Sequence, residues 1–133
     1  MGFIPLDRYQ AELDGRRNGR LYIAEENGEQ VGFAMATFGD VGHIQQIAIR
    51  EDARLAERGA ALVSAVEAET LRRGVLQVGC RVADDLEARH FWSALGFQWV
   101  RRIDPQNTRR RTISYYRKPV GTSYLLIPVQ VSA

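Results

Sequence analysis

The sequence predicts an α+β domain: a mixed, mostly antiparallel sheet flanked by helices. Three features carry that expectation. Two β-rich runs, Leu21 to Ala24 and Val31 to Phe38, flank Glu26-Asn27-Gly28-Glu29, and Asn-Gly is the dipeptide that tolerates the positive φ angles of a type I′ hairpin turn. A strand, a helix and a strand follow one another between His43 and Val82, the arrangement that makes two strands parallel. Two further β-rich runs, Phe97 to Ile103 and Arg111 to Arg117, come after a second helix.

Each element has a local reason. Ile4 to Arg17 reads as a short helix, with Leu6, Tyr9 and Leu13 near helical spacing and Gly15 and Gly19 breaking it. The hairpin runs on through Gly39, Asp40 and Gly42 into a third strand, His43 to Ile49, completing an antiparallel meander. A helix from about Arg58 to Arg73 carries Leu62, Ala65, Val66 and Glu69 on one stripe and stops at Gly74. Val75 to Val82 is a buried strand. Asp84, with Glu87 three residues on, is placed to cap the next helix, whose apolar stripe is Ala88, Phe91, Trp92 and Leu95 and whose stop is Gly96. A polar loop, Asp104 to Arg110, joins the last two strands. Val120 to Val131 is a strand-like tail that Pro128 confines to a sheet edge.

Length and composition bound the rest. With 133 residues, 45% apolar and 26% charged, the chain suffices for one core and no second full domain. Residues 1–118 are therefore read as one domain and 119–133 as its tail. Cys80 has no cysteine to pair with, and with only His43 and His90 beside it no zinc spacing exists, so no metal is expected. Cys80 shares a face with Val78 and Val82 and reads as a small buried hydrophobe. No run of about 18 apolar residues spans a bilayer, and Met1 to Leu13 lacks a signal-peptide pattern. The expected location is cytoplasmic, with no membrane partner.

Two local patterns point to chemistry. The first is Ile47-Ala48-Ile49-Arg50-Glu51-Asp52-Ala53-Arg54-Leu55-Ala56-Glu57-Arg58-Gly59-Ala60, a strand, a loop and the start of an apolar helix. The unpaired N–H groups at a helix N-terminus suit a diphosphate. The second is Asp85-Leu86-Glu87-Ala88-Arg89-His90-Phe91-Trp92-Ser93-Ala94-Leu95-Gly96-Phe97. With the order of elements, these resemble the GNAT superfamily of acyl-coenzyme A-dependent N-acetyltransferases over roughly residues 20–118. The loop resembles that family's Q/R-x-x-G-x-G/A, with Arg54 at the first position, Gly59 at the last and Glu57 where the middle glycine belongs. The helix resembles N-x-x-A-x-x-F-Y-x-x-x-G-F, with Ala88, Phe91, Gly96 and Phe97 in register, Asp85 for the asparagine and Trp92 for the tyrosine.

The resemblance implies a GNAT-like fold and transfer of an acetyl group from acetyl-CoA, a co-substrate, to a primary amine on a small molecule or peptide. It implies cofactor contacts from Ile47, Ala48 and Ile49 through backbone groups, from Arg54, Arg58, Gly59 and Ala60 at the diphosphate, and from Asp85 and Trp92 along the pantetheine. An indole N–H does not transfer a proton at useful pH, so the candidates to stand in for the missing tyrosine are Tyr115, Tyr116 or water. Gln45 and Gln46 sit where the family often has a carboxylate base, and neither takes a proton. His43, with an ordinary pKa near 6.5, is the candidate base.

Charge leaves two alternatives open. The 18 basic residues, 17 of them Arg, nearly cancel 16 carboxylates to give +2. Trp99 to Lys118, however, holds seven basic residues against Asp104 alone, a local +6 that leaves −4 elsewhere. With Trp99, Tyr115 and Tyr116 interleaved, that hairpin suits nucleic acid, although a solvated hairpin facing the acidic half of the molecule explains it more simply. A non-catalytic acyl-CoA-binding module is the other alternative. The apolar tail is expected to add to a sheet edge, within the chain or across a homodimer.

Overall fold

Asn27 and Gly28 take φ angles of 53° and 81°, the left-handed pair that a type I′ turn demands, and so join the first two strands tightly. In the computed structural model, residues 18–50, 55–83, 85–103 and 112–121 are described, with only the helical backbone for Leu55 and Ala56. In chain order the elements are β1 (Gly19–Glu26), β2 (Glu29–Phe38), β3 (Gly42–Ile49), α1 (Leu55–Arg72), β4 (Gln77–Ala83), α2 (Leu86–Ala94), β5 (Gln98–Ile103) and β6 (Ile113–Pro119). The sheet runs β1-β2-β3-β4-β6-β5, antiparallel throughout except where β3 meets β4. The expected meander, parallel crossover and mixed sheet are all present. The expected helix at 4–17, the loop 104–110 and the tail beyond Gly121 lie outside the described residues.

Alternation along β2 sorts its side chains. Ala34, Ala36 and Phe38 face the helices, where Leu62, Val63 and Val66 of α1 and Trp92 of α2 close the main core against Ile44, Val78, Cys80 and Tyr116. Phe33 and Met35 face the other way, with Leu21 and Ala48. The exposed position Glu29 begins β2, and the hydrophobic run from Val31 is buried on both faces.

Three departures from the expectation have a local reason. α1 starts at Leu55, not Arg58, so Glu57 stands in its first turn, where the helix dipole favours a carboxylate. The α2 cap is Asp85, not Asp84: its carboxylate accepts the Ala88 N–H at 2.7 Å from an extended backbone. Thr70 rather than Glu69 completes the buried stripe of α1. Its hydroxyl satisfies itself on the Val66 carbonyl at 2.7 Å. Gly74 and Gly96, with φ of 78° and 90°, end the two helices as expected.

Glu69 is instead a hub. Arg72 lies 2.6 Å away, Arg73 3.0 Å and Arg20 of β1 3.6 Å. The hydrogen bonds from Arg72 and Arg73 hold its carboxyl down at about 2. Because the folded value lies below the unfolded one, this stabilisation is complete above about pH 4.5 and is lost as pH falls toward 2. Glu69→Gln is expected to lower the urea midpoint at pH 7 and to flatten its fall between pH 4.5 and 2; an unchanged acid limb would refute the assignment.

Candidate functional site

β3 and β4 pair for only three residues: Gly42 faces Val78, His43 faces Gly79 and Ile44 faces Cys80. Beyond that, β4 continues to Ala83 against β6, and β3 continues to Ile49 against β2. The sheet splits. The cause is visible in β3, where Met35 opposes Gln46 and Ala36 opposes Ile44, which leaves Gln45 as an extra residue. Such a bulge bends its own strand and re-aims the residues beyond it. The Gln45 side chain is held by Thr37, its amide donating to the hydroxyl at 2.9 Å.

Among the described residues the split leaves backbone groups without partners. The Arg50 N–H donates to the Val31 carbonyl at 2.7 Å, and bonded and non-bonded pairs alternate along an antiparallel ladder. Ala48 with Phe33 is therefore the next bonded pair. Ile47 and Ile49 consequently turn their N–H and C=O toward the β4 side, where no strand among the described residues pairs with them. A groove of about 450 Å³ runs along this edge, walled on one side by Ile47, Ala48 and Ile49 and on the other by α2 from Asp85 to Trp92. Five of the residues that the sequence assigns to the cofactor line it.

The remaining cofactor candidates divide. Arg54 lies outside the described residues. Arg58 is turned to β1, with its guanidinium 3.1 Å from Glu26. Gly59 is not in a loop but within α1, facing α2: a Cβ there would come 2.7 Å from the Phe91 ring, so glycine permits the helices to touch. Ala60 beside it is half-buried. The Asp85 carboxylate is engaged as the α2 cap. Trp92 is buried, stacked on Phe91 at 5.0 Å and edge-on to Phe97 at 4.9 Å, so its ring is a floor for the groove.

The proposed proton-handling residues also separate by strand alternation. His43 and Tyr115 share the face away from the helices, their rings parallel at 6.4 Å. The Tyr115 hydroxyl accepts from Arg117 at 3.1 and 3.3 Å and sits over Gly79, where a Cβ would come within 2.5 Å of it. Tyr116 points into the helix-side core. Burial, and then the charge of Arg81, push the His43 imidazole below its ordinary 6.5, and its Nδ1 is buried without a partner among the described residues. Burial pushes the Cys80 thiol up to about 12, so it is no nucleophile. Tyr115 and Tyr116 are both buried, which leaves Trp99 as the exposed aromatic of the last hairpin. Its indole N–H donates to the Ser114 hydroxyl at 3.1 Å.

Sequence reading missed the bulge and Arg81. The bulge has a signal: apolar Ile44, Ile47 and Ile49 change phase between 44 and 47, where strict alternation would keep it. Arg81 has none, because only the register sets it beside His43. Among the described residues no helix is long and apolar enough to cross a membrane.

A sequence profile of the acetyltransferase (GNAT) family matches residues 3–97. No curated protein matches the chain. Among solved structures, the ribosomal-protein-S18-alanine N-acetyltransferase from Escherichia coli is similar at 20% identity and a TM-score of 0.75, over 96% of this chain and 85% of that one. An aminoglycoside 6'-acetyltransferase type Ii matches at 20% identity and 0.73, over 88% and 78%. An aminoglycoside 6'-N-acetyltransferase complexed with coenzyme A matches at 15% and 0.75, over 92% and 84%. These identities speak for the fold, and the profile match covers well over half of the chain. The protein belongs to the GNAT family of acetyltransferases.

Proposed function

We propose that the protein transfers an acetyl group from acetyl-CoA to a primary amine. The observation that carries this reading is the edge of Ile47 and Ile49 inside the split sheet, which no strand among the described residues pairs with. A half-buried strand edge with unmatched donors and acceptors is a ready template for strand-like pairing, and the pantetheine arm of the cofactor is a chain of amides of the kind that adds to such an edge. The groove residues therefore fit the cofactor, which supplies an activated acetyl thioester. Ile47 and Ile49 would bind the arm through backbone hydrogen bonds, and a main-chain N–H there would stabilise the thioester oxyanion. Ala88 and Phe91 would line the groove, and Trp92 would underlie it. The first-turn N–H groups of α1, which follows β3 in the chain, would receive the diphosphate, with Arg54, just before the helix in sequence, as the candidate countercharge.

His43 is the base in this reading. Held neutral at pH 7 by burial and by Arg81, it can accept the proton of the attacking ammonium or amine. Tyr115, on the same face, is the better placed of the two tyrosines to return a proton to the leaving thiolate.

The test is release of free thiol from acetyl-CoA across an amine panel. The acid limb of kcat/KM should lie below pH 6.5, because protonating His43 removes the base. His43→Gln should remove that limb and lower kcat by about 10²-fold. An unchanged pH profile would exclude His43. Acetyl-CoA binding with no thiol release for any amine would favour a non-catalytic module.

A further inference from the structure

The face beside the split is built from arginine. Arg81 follows Cys80, where β3 and β4 part, and so stands on the lip of the opening. Tyr115 of β6 lies between Arg81 of β4 and Arg101 of β5 in the strand register. Arg117 is two residues on, on the same face, and opposes Gly79, which in turn opposes His43. The Tyr115 ring carries two guanidiniums, Arg117 at 5.3 Å and Arg101 at 5.6 Å from its centroid. His43, stacked on the same ring, has a buried Nδ1 without a partner among the described residues.

Five other described arginines meet carboxylates. Arg20, Arg72 and Arg73 meet Glu69, Arg50 meets Glu29 and Arg58 meets Glu26. Among the described residues no carboxylate is paired with Arg81, Arg101 or Arg117. Three guanidiniums around one aromatic ring, with no carboxylate partner among the described residues, make a local field that repels cations and attracts anions. Arginine is also the side chain best shaped to hold a carboxylate or phosphate by paired N–H donors.

We infer that the acceptor is a small amine that itself carries an anionic group, a carboxylate or a phosphate, held by Arg81, Arg101 and Arg117 while its amine meets His43 at the mouth of the split. This rests on the acetyltransferase reading and narrows it. The same field disfavours polycationic amines, so the acceptors named for the aminoglycoside-acetylating neighbours fit this face poorly.

Matched amines test it, with acetyl-CoA as donor: glycine against glycinamide, 2-aminoethyl phosphate against ethanolamine, and spermine as a polycation. The anionic member of at least one pair should be favoured 10-fold or more in kcat/KM, and which pair responds tells carboxylate from phosphate. The preference should shrink at 0.5 M salt and approach parity in Arg81→Gln/Arg117→Gln. Preference for spermine or for the neutral partners, by protein that binds acetyl-CoA, would overturn the inference. A second readout stands without turnover. N-acetylglycine and N-acetyl-2-aminoethyl phosphate, but not N-acetylglycinamide, should shift the His43 imidazole resonances, and neither anion doing so at 10 mM would also overturn it. Failure to bind acetyl-CoA instead sinks the acetyltransferase reading and leaves the anion site to be decided by the resonances.

Discussion

Ile49→Pro is expected to weaken acetyl-CoA binding by 10-fold or more while leaving the fold standing. Proline removes one backbone N–H, and at Ile49 that N–H points into the split rather than to β2. One hydrogen bond of about 1.4 kcal/mol corresponds to the tenfold loss. Ala48→Pro is the control. Its N–H belongs to the ladder with Phe33, so proline there leaves a buried carbonyl without a donor, at a cost of about 1–3 kcal/mol in stability. Thermal melts and calorimetric titration of both variants separate the effects. Equal loss of stability at 48 and 49 would mean that the assignment of inward and outward backbone groups is mistaken.

The largest effect on stability is expected at Gly42. It opens β3 under α1, and a Cβ there would collide with the Thr70 hydroxyl and come within 2.9 Å of its methyl. Thr70 is fully buried and tied to the Val66 carbonyl, so it has nowhere to retreat. Gly42→Val should therefore cost about 3 kcal/mol, or roughly 10 °C in Tm. Because the clash is specific, Gly42→Ala combined with Thr70→Ala should recover most of what Gly42→Ala alone loses. Additive losses in the double variant would show that the two residues do not meet.

Local chemistry was legible in the sequence wherever it decided structure. Asn27-Gly28 dictated a turn, Gly74 and Gly96 dictated helix ends, and the strand, helix and strand between residues 42 and 83 dictated a parallel pair. The features that stayed hidden depend on contacts between distant residues. The placing of β6 between β4 and β5 is one of them, and it brings about the meeting of Arg81, Tyr115 and Arg101. Gly59 is another. As a sequence feature it suggested close approach to a diphosphate, whereas its missing side chain makes room for Phe91. The two tyrosines show the same limit, since adjacent residues of a strand face opposite ways and only the packing of the whole sheet tells which one meets His43.

The central claim is that the open edge of β3 receives acetyl-CoA. Isothermal titration of the full chain with acetyl-CoA tests it most directly, alongside Ile49→Pro. Stoichiometric binding that weakens at least tenfold in the variant is the predicted result; no heat from the unmodified protein at millimolar acetyl-CoA, or equal affinity in the two proteins, would contradict it.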